Sequence, residues 1–266
     1  MRRKLALVLG LLALFAVAGG AIGASIASGD PGQPAQRADR SVVAQENRSV
    51  VAQENRGARQ RGDRASRPPA TGNSRGSARP LLAVIGASFS AGVGAGRPSD
   101  AWPEDLARIM HWRLEVSADP GAGYVSPGAG HRGPFSRLAA RLHLARTQPG
   151  TIIIQGGHDD IGRPLPLIRQ QVESLIATIR RGAPRARLAI LTVFPRAGAR
   201  TSSAWATDQA IVAAARHADP GIEVFDPLAG HWHFPRIGDH LHPTAAGHRW
   251  IAERLAAGLR AHQVAA

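Results

Sequence analysis

From residue 81 onward the chain alternates between short apolar runs and longer stretches with apolar residues on one helical face. This alternation is its tightest constraint. Strands that alternate with helices run in one direction and form a parallel sheet covered on both sides. The runs at 81–85 (LLAVI), 114–117, 151–155 (TIIIQ), 187–194 and 222–225 are predicted strands. The β-branched run at 151–155 is the strongest of them. Helices are predicted over 102–112, with Pro103 in the first turn, and over 135–146, 167–181, 203–217 and 244–262. In the third of these, Ile168, Val172, Leu175, Ile176 and Ile179 recur at helical spacing. In the last, Ile251, Leu255 and Leu259 do the same. The expected architecture is a three-layer α/β/α sandwich over 81–266, with a central parallel sheet of about five strands, a size that suits one domain.

The first 80 residues have a different texture. Arg2, Arg3 and Lys4 precede an uncharged stretch over 5–29. This is a positive n-region followed by an apolar h-region. Ser25, Ile26 and Ala27 offer small residues for cleavage, and the stretch also exceeds the roughly 20 residues that span a bilayer. Residues 1–29 are thus expected to be a signal peptide or an N-terminal membrane anchor. Either way 30–266 lie outside the cytoplasm, in the second case through the positive-inside rule. Residues 30–80 are rich in Arg, Gln, Ala, Ser, Gly and Pro and lack apolar periodicity. Such a segment cannot bury enough apolar surface to offset its ordering entropy, so a disordered basic linker is expected. Within it SVVAQENR occurs twice in tandem, at 41–48 and 49–56, too few copies for a solenoid. As a tether this linker holds the following domain off a membrane or cell wall.

The net charge is +14, almost all of it arginine, and it is spread over both the tail and the remainder. No basic run carries interleaved aromatics and there is one tyrosine, so nucleic acid is not an expected partner. Without cysteine, disulfides and thiolate metal sites are excluded.

Polar groups collect where strands end, which is where α/β folds bind and react. Gly86-Ala87-Ser88 closes the first strand with a small-residue turn and a hydroxyl. Asp119-Pro120-Gly121-Ala122-Gly123 follows the second strand, and Gly156-Gly157-His158-Asp159-Asp160 follows the third. Asp239 and His242 stand three residues apart before the last helix. At that spacing a carboxylate reaches a histidine Nδ1 and fixes its tautomer, leaving Nε2 to take a proton from a serine. The glycines let backbone N–H groups approach an oxyanion closely. Ser90 occupies the last position of a Gly-x-Ser-x-Gly pattern, which argues against an α/β-hydrolase nucleophile elbow. Five late histidines, His231, His233, His240, His242 and His248, include His-x-His pairs. With no cysteine and no HExxH, a metal site or cofactor is not expected. Trp102, Trp112, Trp205 and Trp250 are expected in the core.

These blocks resemble the SGNH hydrolases, or GDSL esterase/lipase family, most of all its exported members from high-GC bacteria. The resemblance runs from Leu81 to the end. Its carriers are Gly86-Ala87-Ser88, Gly121 in DPGAGYV, Gly157-His158-Asp159-Asp160, and Asp239-His240-Leu241-His242 with its HPT-x-x-GH continuation. The resemblance implies a flavodoxin-like sandwich and a Ser88–His242–Asp239 triad. It also implies an oxyanion hole from the N–H groups of Ser88 and Gly121 plus one side-chain donor. Two positions depart from the family. Ala87 replaces an aspartate outside the triad. Asp159 stands where the family has an asparagine that donates to the oxyanion, and an ionised aspartate would repel it. Either Asp159 is protonated, or His158 supplies the donor in a register shifted by one, or the domain is a weak or inactive relative. The expected function is an extracytoplasmic serine esterase or lipase that hydrolyses carboxylic esters of lipid, glycan or small molecule through an acyl-enzyme. The alternatives are a silent SGNH domain that binds acylated cell-surface polymer, or an acyltransferase.

Overall fold

The computed structural model describes residues 79–197 and 201–264. The expected leader, linker and tandem repeat at 1–78 lie outside the described residues. Five strands form one all-parallel sheet in the order β2-β1-β3-β4-β5: β1 Leu81–Gly86, β2 Arg113–Ala118, β3 Thr151–Gln155, β4 Arg187–Leu191 and β5 Glu223–Phe225. The inner strands β1 and β3 are buried along their whole length, and β4 is buried after Arg187, because helices cover both faces. β2 is an edge strand. It carries Arg113 and Glu115 and leaves Val116 exposed, and charge on an edge discourages further pairing.

Side chains alternate across the sheet, so each strand feeds two cores. Ala83, Ile85, Ile152, Ile154, Leu188 and Ile190 face one side. There they meet α2 (Phe135–Arg141), α3 (Leu144–Thr147), α4 (Leu165–Gly182) and α5 (Ser202–Ala218). Leu82, Val84, Ile153, Ala189 and Leu191 face the other side, against α1 (Trp102–Met110) and α6 (Ala245–Val264). This is the expected three-layer α/β/α sandwich. α4 buries Ile168, Val172, Leu175, Ile176 and Ile179, the face that its periodicity predicts. Ile251, Leu255 and Leu259 of α6 are fully buried.

Three expectations are corrected. The single helix predicted over 135–146 is two helices, separated by His143 in the left-handed region (φ 46°). Leu142 and Leu144 are both buried in the same core. Positions two apart on a helix point about 200° apart, so an unbroken helix would expose one of them. The fourth strand ends at Leu191, three residues early. Beyond it the Val193 N–H donates to Asp208 of α5 instead of to a strand. Trp205 is 45% exposed on the first turns of α5 and is not a core residue.

In this strand order the chain reverses direction between β1 and β3. The carboxyl ends of those strands, at the switch point, are where an open α/β sheet presents a crevice.

Candidate active site

Ser88 lies two residues past β1, in a turn held from β3. The Gln155 side chain, at the end of TIIIQ, accepts hydrogen bonds at Oε1 from the N–H groups of Ala87 (3.3 Å) and Ser90 (3.1 Å) and from the Ser90 hydroxyl (2.8 Å). Ser90 in turn sits directly above Gly86. A Cβ there would lie 2.2 Å from the Ser90 Oγ, so only glycine fits the first position of Gly-x-Ser. Ala87 replaces an aspartate and is buried against apolar neighbours.

Asp239 and His242 arrive from the opposite side, on the loop before α6. Asp239 Oδ1 accepts the N–H groups of Leu241 and His242, both at 2.9 Å, which is the local side-chain-to-backbone bonding that aspartate favours in turns. His240 completes the turn in the left-handed region (φ 61°). Asp239 Oδ2 lies 2.5 Å from His242 Nδ1, and His242 Nε2 lies 2.8 Å from Ser88 Oγ. Burial acts to raise the Asp239 carboxyl, but hydrogen bonds from the His242 ring and two backbone N–H groups outweigh it. They hold the group well below the usual carboxylate range. An ionised carboxylate only accepts, so His242 Nδ1 carries the hydrogen and Nε2 presents its lone pair to the serine. Phe89 supports the ring from below, 5.4 Å from the His242 centroid and stacked on Phe194 at 4.1 Å. The Arg196 guanidinium donates to the Asp239 carbonyl (2.6 Å) and the Ala197 N–H to that of His240 (2.8 Å), which pins the loop after β4 to this turn.

The loop after β2 carries Gly121 in the left-handed region (φ 79°). It is organised by Asp160, which is fully buried and accepts the N–H groups of Tyr124 (2.8 Å), Val125 (3.0 Å) and Ser126 (3.0 Å). Gly123 makes room for that carboxylate, since a Cβ there would lie 2.3 Å from it. Asp119 shapes the far end of the loop by accepting from Gly130 and Arg132. Among the described residues, the N–H groups of Ser88 and Gly121 donate to no protein acceptor.

His158, Asp159 and Asp160 form a single 3-10 turn after β3. His158 Nδ1 lies 3.1 Å from the Phe194 carbonyl, which can only accept. Burial, ahead of the opposing pull of that carbonyl, lowers the His158 pKa and favours the neutral ring. A neutral ring has one N–H, and it is spent on Phe194, so Nε2 has no hydrogen to offer an oxyanion. Asp159 is half-buried, and burial followed by the neighbouring Asp160 pushes its carboxyl up to about 6, against the pull of His242.

Two clefts border these residues. One of about 440 Å³ lies past the serine turn and is lined by Ser90, Ala91, Ala118, Pro120 and Arg132. The other, of about 280 Å³, lies beside His158 and is lined by Ile161, Phe194, Arg196, Thr201 and Ala204. Among the described residues no group of three or more His, Cys, Asp or Glu is arranged to hold a metal ion.

Sequence reasoning did not single out Gln155 or Phe89 as part of the site. Gln155 left a signal, since it is a long polar side chain closing a buried strand whose three central residues are isoleucine; Phe89 left none.

A parallel α/β/α sandwich with a hydrogen-bonded Ser–His–Asp set at its switch point defines an SGNH-type hydrolase. The comparisons agree. Residues 84–250, more than half of the chain, match the GDSL-like lipase/acylhydrolase family. A GDSL lipase of Mycobacterium tuberculosis is 30% identical over 189 residues, covering 66% of this chain and 79% of that one. Two solved structures share the fold. A family two carbohydrate esterase from Clostridium thermocellum, in complex with cellohexaose, has a TM-score of 0.54 at 17% identity over 69% of this chain and 64% of its own. An acetyl xylan esterase of Butyrivibrio proteoclasticus has a TM-score of 0.55 at 15% identity over 70% and 65%. The chain spans just under two thirds of the length of each of these two. The protein belongs to the GDSL-like lipase/acylhydrolase family and is a carboxylic ester hydrolase.

Proposed function

We propose that this protein is a serine esterase that acts outside the cytoplasm through an acyl-enzyme. The observation that carries the mechanism is the unbroken line from Asp239 through His242 to Ser88, at 2.5 and 2.8 Å. Ser88 Oγ attacks the acyl carbon while His242 Nε2 takes its proton. Asp239 keeps the ring in the required tautomer and offsets the charge of the imidazolium that forms. The tetrahedral oxyanion is held by the N–H groups of Ser88 and Gly121, with Asp159 as third donor in its protonated form, below about pH 6. The C–O bond to the leaving alcohol breaks as His242 returns its proton to the alkoxide. Water, deprotonated by His242, then attacks the acyl-enzyme, and Ser88 leaves with the proton. The two bordering clefts give the acyl and alcohol portions separate places. The glycan chemistry of the two carbohydrate esterases supports an acylated sugar as the alcohol portion. Placement outside the cytoplasm rests on Arg2-Arg3-Lys4 and the uncharged stretch at 5–29.

Ser88→Ala is expected to lower hydrolysis of a short acyl ester by about 10⁴-fold or more, with an unchanged circular dichroism spectrum. A fluorophosphonate should label the wild type at Ser88 and leave the variant unlabelled. Full activity in the alanine variant overturns the mechanism. Recovery of the full-length protein in the cytoplasmic fraction of an expressing bacterium overturns the location. Asp159 favours a second reading, a domain that binds acylated polymer without turning it over. Its signature is ligand binding with no turnover at any pH.

A further inference from the structure

The HPT-x-x-GH continuation ends in His248, which has no place in the proton transfers above. It is fully buried on the first turn of α6, six residues beyond His242. Both ring nitrogens are engaged. Nδ1 lies 3.2 Å from the backbone nitrogen of Trp102, and Nε2 lies 3.1 Å from the Val93 carbonyl. The backbone N–H must donate and the carbonyl must accept, so the ring is the neutral Nε2–H tautomer. Burial lowers its pKa and favours that neutral form, with the Val93 carbonyl and Asp105 of α1 pulling the other way and His242 adding to the lowering.

Each contact completes something that lacks a partner otherwise. Trp102 is the first residue of α1, whose N-cap, Ala101, has no side chain to cap with, so His248 caps the helix from a distance. Val93 closes the turn that carries the serine, since its own N–H donates to the Ser88 carbonyl at 3.0 Å. One residue further, Gly94 lies so close to the loop before α6 that a Cβ would come within 2.2 Å of the Pro243 carbonyl.

We propose that His248 is a positioning residue for ester hydrolysis: through Val93 it holds the Ser88 turn in register with His242, and through Trp102 it anchors α1 to the same point. The serine turn and the acid–base loop arrive from ends of the chain 154 positions apart. Both are referenced to the N-terminus of α6, one by covalent continuity and one by the His248 Nε2–H. The proposal rests on Ser88 being the nucleophile.

Two amides separate the contacts, because an asparagine oxygen falls near Nδ1 and a glutamine nitrogen near Nε2. His248→Asn keeps an acceptor for Trp102 and loses the bond to Val93. His248→Gln keeps the bond to Val93 and loses the cap. In the full-length protein, His248→Asn is expected to lose about 10-fold to 100-fold in kcat on a short acyl ester, as a displaced nucleophile does, with KM within about twofold. His248→Gln should stay within roughly threefold of wild type in kcat. Both should show a lowered melting temperature. Equal losses of kcat in the two variants, a reversed order, or wild-type kcat in His248→Asn overturns the proposal. Nitrogen-15 spectra of the wild-type histidine rings give a test that does not depend on a variant folding: His248 must show a protonated Nε2 and a bare Nδ1, and the opposite tautomer also overturns it. Ser88→Ala runs alongside: activity retained there overturns the nucleophile assignment and the positioning role with it, whereas activity lost there with wild-type kcat in His248→Asn overturns the positioning role alone.

Discussion

At the scale of single residues, the oxyanion role proposed for Asp159 carries an expected response to pH. Its carboxyl is raised to about 6, so it holds a proton and can donate below that pH, and is an anion above it. A developing oxyanion gains from the first state and is repelled by the second. The wild-type enzyme should therefore lose kcat/KM as pH rises from 6 to 8. Asp159→Asn donates at every pH and should gain by about 10-fold or more at pH 8, within the 10² to 10³ that one oxyanion donor is worth. Profiles of kcat/KM over pH 5 to 9 check this, and identical profiles would remove Asp159 from the oxyanion site. Ser88, Asp239 and His242 were legible because their chemistry is stated by residue type and, for the last two, by local spacing. Gln155 was not. Its three bonds to the serine turn join positions 65 or more apart, and no local pattern announces them.

Between elements, Asp208 of α5 meets the carboxyl ends of β4 and β5, at Val193 and Asp226. Asp208 is fully buried, accepts the Val193 N–H, and faces Asp226. Burial first, then the Asp226 charge, raises the Asp208 carboxyl to about 6. A carboxyl raised on folding binds more protons in the native state than in the unfolded one. It therefore subtracts stability once pH passes the native value and subtracts nothing below the unfolded value. Asp208→Asn keeps an oxygen for Val193 and removes the charge. It should raise stability by about 1 to 3 kcal/mol at pH 8 and by much less near pH 4. Urea unfolding at the two pH values measures the difference, and a gain of equal size at both would contradict the charge argument. Nothing in the helical pattern at 203–217 distinguishes this aspartate from an exposed one, because the periodicity names the face and not the partner. The break at His143 was hidden for a related reason, since both Leu142 and Leu144 turned out to need the same core.

At the scale of the described domain, the sheet stands between two cores and feeds side chains into both, so the two are expected to unfold as one unit. Ile153 and Ile154 are adjacent in β3, fully buried, and point into opposite layers. Ile153→Ala and Ile154→Ala should each cost about 2 to 5 kcal/mol, the range for removing a branched side chain from a packed core. Each should leave a single unfolding transition by fluorescence and circular dichroism. Separate transitions would mean that the layers fold apart. The amino-acid sequence by itself determined the alternation of strands and helices, the parallel sheet, and the residue types of a serine hydrolase, because hydrophobic periodicity and local turn chemistry act over a few residues. Only the tertiary structure decided the strand order that brings the ends of β1 and β3 together, the pinning of the serine turn by Gln155, and the contacts of His248. It also decided the raised carboxyl of Asp159. Burial and electrostatic neighbours are properties of packing, and packing joins residues that the sequence keeps far apart.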